Sequence, residues 1–268
     1  MIRSLYSGIG GMKNFQTKLD VIGNNIANVN TFGFKKGRAT FNDLVSQQMA
    51  GASAPVAGGR GGTNPMQVGL GSGLSSIDTI DTQGSIQTTG RDLDLAIAGD
   101  GYFVLDDGQG NIGYTRAGNF YRDSDGTLVN ANGFILTGID NGPIVIDNAA
   151  GYDSFTISSN GEVLGIPSGD GDPVVLGQIQ IATFANPGGL SKAGGNIFVE
   201  TPNSGAPNLG APGMDGRGEL VNSALEMSNV DLSEEFAEMI VAQRAFQANT
   251  RMITTSDEIL QELVNLKR

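Results

Sequence analysis

Apolar residues at the start of the chain recur every seven positions, at Leu5, Met12, Leu19 and Ile26, with Ile9, Phe15, Ile22 and Val29 along the adjacent stripe. Such a repeat keeps one helical face against a partner. The spacing therefore predicts a helix with a coiled-coil-like seam, stopped by Asn28, Asn30 and Gly33. The far end repeats the pattern: Leu232, Met239, Phe246, Ile253 and Leu260 form an unbroken series, widened by Phe236, Ile240 and Leu263. Asp231 is placed to cap this helix, with Glu234 in a capping-box position and Glu235 in the first turn. Lys267 and Arg268 suit its negative C-terminal end. The stripe one step on is polar at Gln243, Thr250 and Asp257, which makes a narrower seam than a strong two-stranded coiled coil has.

Between the ends the period changes. From about 91 to 200, short apolar runs such as Leu93–Ile97, Tyr102–Leu105, Phe134–Leu136 and Ile179–Phe184 alternate with Asp107-Gly108, Asn132-Gly133, Asn160-Gly161 and Asp170-Gly171. Asn-Gly and Asp-Gly favour the positive-φ turns that close hairpins, so this stretch reads as an all-β domain. Residues 46–90 are rich in Gly, Ser and Thr and read as an extended, poorly packed connector. The expected order is an N-terminal helical arm (1–45), the connector (46–90), an all-β outer domain (91–205), a return segment (206–230) and a C-terminal helix (231–268). The fold class is α+β, with paired long terminal helices around a central all-β domain.

Composition narrows the chemistry. Cys, His and Trp are all absent. That excludes disulfides, thiolate nucleophiles and His-based catalysis or metal binding. A formal charge of −12 argues against nucleic acid. No apolar stretch is long enough to span a bilayer, and the N-terminus has no continuous apolar run of the kind a cleaved signal carries. Charge also divides between the ends. Arg3, Lys13, Lys18, Lys35, Lys36 and Arg38 outnumber acids in the N-terminal arm, whereas acids outnumber bases in the C-terminal helix, so the two ends are expected to pair.

Asp123-Ser-Asp-Gly126 lacks a Glu at the twelfth position of a calcium loop, where Phe134 stands, and reads as a hairpin turn. Asp92 with Asp94 and Asp106 with Asp107 read as surface charge; sequence neighbours do not set the carboxylate separation a glycosidase needs. No enzyme, cofactor or metal is expected. The reading from another class is a secreted β-rich binding module or carboxylate glycosidase.

Four stretches resemble the bacterial flagellar hook and basal-body rod family. Leu19-Asp-Val-Ile-Gly-Asn-Asn-Ile-Ala-Asn-Val-Asn-Thr-Phe-Gly-Phe-Lys-Lys36 is similar to its N-terminal signature. Leu93–Val104 and Tyr114-Thr-Arg-Ala-Gly-Asn-Phe120 resemble the opening of its β-domain, and Ser228–Asn249 its C-terminal signature. The opening Ser4–Met12 and the ending Ile259–Lys267 look like the short Gram-positive hook form, with the distal rod form next. The resemblance implies a structural subunit, with a hook that transmits torque as the first expectation and a distal rod as the alternative. It implies a homo-polymer meeting rod, hook-cap and hook–filament junction proteins. It also implies export through the flagellar type III apparatus without a cleaved signal. The assembly residues would be the seam positions Leu5, Met12, Leu19, Ile26, Leu232, Met239, Phe246, Ile253 and Leu260. The connector is where hook and rod would differ.

Overall fold

The computed structural model describes residues 2–55, 61–146, 152–167 and 172–266. Asp170-Gly171, Lys267 and Arg268 lie outside the described residues. A helix stands at each end with β-structure between, the α+β class that the apolar periodicity predicts. The chain forms two compact units. One joins Met1–Ile26, Gly37–Asp78 and Asp231–Arg268; the other joins Ala27–Lys36 and Thr79–Val230.

The first unit contains helix α1 (Ile2–Ala27), strands β1 (Gly37–Asp43), β2 (Ser46–Ala50), β3 (Met66–Gly69) and β4 (Ser72–Thr79), and helix α2 (Leu232–Asn265). At 1.5 Å per residue the helices are about 39 and 51 Å long. Asp231 caps α2 as expected, its Oδ1 accepting from the backbone amides of Ser233 and Glu234 at 2.8 and 3.4 Å. The helices run antiparallel: Thr250 lies by Met12, Glu238 by Lys18 and Glu235 by Asn25. On its other flank α1 holds the β1–β4 ribbon. Asn14 Nδ2 donates to the Ser72 carbonyl at 2.8 Å, the Phe15 and Phe41 rings lie 6.3 Å apart, and the Asn25 amide both donates to and accepts from the Gly37 backbone.

The expected connector is built differently. β2 pairs antiparallel with β3, Gln47 opposite Val68, and β4 pairs with β1. Every residue of β2 and β3 is exposed. The strands lack the in–out alternation that marks a half-buried strand, which is why their sequence reads as a linker.

The second unit carries β5 (Ile86–Thr88), β6 (Leu95–Ala98), β7 (Tyr102–Asp106), β8 (Ile112–Thr115), β9 (Tyr121–Arg122), β10 (Leu128–Val129), β11 (Ile135–Leu136), β12 (Tyr152–Ile157), β13 (Glu162–Pro167), β14 (Val174–Gln178), β15 (Ile181–Thr183), β16 (Ser191–Gly194), β17 (Ile197–Val199), β18 (Asn208–Gly210), β19 (Glu219–Asn222) and β20 (Ala224–Glu226). β7 is central. It pairs with β8 along one edge, while β15 and β11 share the other. Both its faces are covered: Phe103 and Leu105 enter a core with Leu95, Ile97, Phe120, Leu128 and Ile181, and Tyr102 and Val104 enter a second with Tyr114, Phe198 and Leu190. A strand buried on both faces needs no polar alternation, hence the continuous run Tyr-Phe-Val-Leu.

The expected turns form where the sequence places them. Gly108, Gly126, Gly133 and Gly161 all have φ between +79° and +85°. The stretch read as a return segment belongs to the β-unit. β18 pairs with β15, β19 with β6 and β20 with β5, so the chain makes three sheet contacts before it enters α2.

Candidate assembly surfaces and a buried ion cluster

The face that α2 turns inward repeats in steps of four and three: Glu235, Met239, Ala242, Phe246, Asn249, Ile253, Ser256 and Leu260 are buried or half-buried, with Ala245 beside them. Met239, Phe246, Ile253 and Leu260 are thus on the seam, as the heptad series places them, whereas Leu232 is exposed. The partner stripe is not Phe236–Ile240–Leu263. It is the small and polar series Glu235, Ala242, Asn249, Ser256, three residues behind each large residue rather than four. Counting apolar residues could not reveal it; the seven-residue spacing of small side chains was the available signal.

On α1, Leu5, Met12, Leu19 and Ile26 are half-buried, and Ile22 is buried. Ile9, expected on the second stripe, is exposed, along the solvent line of Tyr6, Lys13, Gln16 and Asp20. The antiparallel register sets Gly11 against Asn249 and Gly8 against Ile253. A Cβ on Gly11 would lie 2.8 Å from Asn249 Nδ2. The helices approach closely because both present small residues. The predicted charge pairing is represented by Lys18 Nζ, 3.1 Å from a Glu238 carboxylate oxygen, both partly exposed. Exposed pairs of this kind contribute about 0.2–1 kcal/mol.

Large residues of α2 also face outward. Phe236 and Ile240 are 50 % and 52 % exposed, and Val241, Met252, Ile259 and Leu263 run along another side at 48–62 %. These apolar stripes are unusual for a helix already seated on a partner.

The second unit holds a feature that sequence reading missed. Lys35, Arg116 and Glu226 are at most 4 % exposed. Lys35 Nζ donates to Glu226 Oε1 at 2.7 Å and to the Thr82 carbonyl at 2.9 Å, and the Gly84 amide donates to the same Oε1 at 2.9 Å. Arg116 Nη1 donates to Glu226 Oε2 at 3.2 Å and Nη2 to the Gly99 carbonyl at 2.9 Å. The guanidinium also lies over the Tyr102 ring, whose hydroxyl donates to Asp81 at 2.9 Å. Burial holds the Lys35 ammonium below the ordinary lysine value, against the pull of the Glu226 carboxylate. Burial, then Asp81, raises the Tyr102 phenol well above its usual range.

The backbone around the cluster is equally fixed. Gly33 has φ +67°, and its amide donates to the Glu226 carbonyl at 2.8 Å. The Asn229 amide donates to the Phe34 carbonyl, its Oδ1 accepts from the Lys36 amide, and its Nδ2 donates to the Ile80 carbonyl. Lys192 Nζ lies over the Phe34 ring and donates to the Lys35 carbonyl. Lys35 and Arg116, from separate stretches of the sequence, therefore converge on one carboxylate, and Asn229 ties the backbone beside it.

The other acidic candidates are structural. Asp94 accepts from Thr89 and Arg91, and Asp106 and Asp107 accept amides of their own turn. Asp123 opens a turn in which the Gly126 amide donates to its carbonyl. Among the described residues no group of three His, Cys, Asp or Glu side chains is placed to hold a metal. No described helix is long and apolar enough to cross a membrane.

Three family models match in chain order. Residues 5–35 match one described as Flagella basal body rod protein, 96–165 one described as Flagellar hook protein FlgE/F/G D1 domain, and 221–266 one described as Flagellar basal body rod FlgEFG protein C-terminal. A flagellar basal-body rod protein FlgG of Bacillus subtilis is 60 % identical over the full length of both chains. The chain belongs to the flagellar hook and basal-body rod family. The FlgG rod protein of Borreliella burgdorferi is 42 % identical over 269 positions, again covering both chains entirely. The hook protein FlgE of the same organism is 34 % identical, and that alignment runs over 443 positions against the 268 residues of this chain. Identity and length both favour the rod over the hook, the reverse of the order suggested by the chain's two ends.

Proposed function

We propose that this chain is a distal rod subunit of the bacterial flagellum, a structural protein that polymerises through the outward faces of its helical ends. The observation that carries the reading is the pair of apolar stripes on α2, left exposed while its inner face is already occupied. Covering such side chains is worth on the order of 1 kcal/mol or more each, and further copies of the same helix pair provide a repeating apolar surface to do it. The rod assignment is supported by the full-length likeness to rod proteins of the same size.

The inner seam, including Met239 and Phe246, builds the helix pair inside each subunit. The outer stripes join subunits. Neighbouring rod and hook-side axial proteins would meet the ends of the polymer, and passage through the flagellar type III apparatus would need no cleaved signal. The role is mechanical.

The test is a full-length Phe236→Glu, Ile259→Glu variant. Its far-ultraviolet circular dichroism should match the parent, while sedimentation shows only unassembled protein. Normal polymers from this variant would refute the outer-stripe interface. Electron microscopy of labelled protein in cells should place the signal within the envelope; signal on the curved external segment would restore the hook.

A further inference from the structure

Buried ion pairs seldom add net stability, since well-packed apolar side chains fill the same space as effectively. The Lys35–Glu226–Arg116 cluster also leaves Arg116 Nε buried without a partner among the described residues. Its distinguishing property is which segments it joins. Glu226 ends β20, five residues before Asp231 caps α2, and Lys35 lies in the strap 31–36 that follows α1. One carboxylate holds the strap through Lys35 Nζ and the 84 turn through its amide, and the Glu226 backbone carbonyl holds Gly33. Asn229 adds a second tie between the same segments.

We propose that Glu226 is a shared latch that couples the docking of the N-terminal strap to the docking of the C-terminal return, so that the second unit releases or holds both together. Removing the hold on one side leaves a buried carboxylate short of partners, which weakens β20 and its pairing with β5. Removing the carboxylate takes a partner from Lys35, Arg116 and Gly84 at once. The inference does not rest on the rod reading. A coupled latch could exist in a chain that never polymerises, and an uncoupled one would leave the outer stripes of α2 intact.

Hydrogen–deuterium exchange on the full-length chain tests it, with Lys35→Met and Glu226→Gln compared against the parent. The reporter on the return is the Met227 amide, which donates to the Ser85 carbonyl and not to the strap. The reporter on the strap is the Gly33 amide, and β7 serves as a control for the core. Lys35→Met should speed exchange at Met227 as well as in the strap, by about fivefold or more, with β7 unchanged. Glu226→Gln should do the same in both segments. Faster exchange confined to the strap in Lys35→Met would overturn the coupling. Loss of β7 protection in both variants would also overturn it, because the cluster would then support the whole unit rather than latch two segments.

Discussion

Gly33→Ala should unfold the second unit far more readily than an alanine substitution normally does. The residue sits at φ +67°, where an L-residue costs about 1–2 kcal/mol. A Cβ there would lie 2.5 Å from the Arg116 carbonyl carbon, 2.6 Å from the Ala117 nitrogen and 2.8 Å from the Arg116 oxygen, all backbone atoms. Restoring ordinary contact needs a shift of roughly 1 Å. That would stretch the 2.8 Å bond from Gly33 to Glu226 beyond hydrogen-bonding range and leave a buried amide unpaired, at about 1–3 kcal/mol. Together these give a destabilisation of about 2–5 kcal/mol. Tyrosine fluorescence during urea unfolding reports it, since the chain lacks Trp and every tyrosine except Tyr6 belongs to the second unit. Gly23→Ala is the control: nothing lies within 4 Å of its Cβ, and inside α1 it should stabilise by about 0.5–1 kcal/mol. A Gly33→Ala loss below about 1 kcal/mol would refute the packing argument.

Alkali should unfold the chain through its buried phenols. Burial, then Glu200, raises Tyr114 to about 12, and Tyr102 is raised further. Above pH 10 the unfolded chain sheds phenolic protons that the fold retains. Their stabilisation is therefore complete below about pH 10 and is lost as pH rises through the folded values. Lys35 and Lys192, depressed by burial, act in the opposite sense below the ordinary lysine value of 10.5. Tyrosinate absorbance of the parent should show ionisation near pH 12 that Tyr114→Phe removes; a single step near 10 would contradict the burial. Ala242→Leu should destabilise the helix pair by about 1–3 kcal/mol through overpacking at a position 1 % exposed. Ala237→Leu on the exposed side should leave helical melting unchanged.

Local rules made the ends and turns legible. Asp231 caps α2 because its side chain reaches amides two and three residues on, and Gly108, Gly133 and Gly161 turn because each takes the positive φ that Asn-Gly and Asp-Gly favour. Such features depend on neighbours in sequence. The seam partner was hidden because Ala242, Asn249 and Ser256 carry no hydrophobic signal, although burial selects them. β2 and β3 were hidden for the opposite reason: strands exposed on both faces impose no period on their residues. The ion cluster depends on residues 35, 116 and 226, whose proximity is set by the sheet pairings and not by any spacing. Its one sequence trace is the aromatic–Lys pair after Gly33, whose meaning appears only once Arg116 and Glu226 are in place.

The composition of the seam bears on what the helix pair is for. If its only purpose were to hold one subunit together, α2 would keep all its large residues on the face toward α1, where burial returns most free energy per side chain. Met239, Phe246, Ile253 and Leu260 share that face with the smaller or polar series Glu235, Ala242, Asn249 and Ser256, opposite glycines at 8 and 11, while Phe236, Ile240, Val241, Met252 and Ile259 face away. Helices of 26 and 34 residues draw most of their stability from tertiary burial rather than propensity. A pair that leaves this much apolar surface outward gains further burial when its outer stripes are covered. The second unit follows the other logic. Its two cores bury Phe103, Phe120, Tyr114 and Phe198 within the chain, and the Glu226 cluster fixes both segments that lead to the helices. One unit is finished within the subunit, and the other leaves apolar surface exposed.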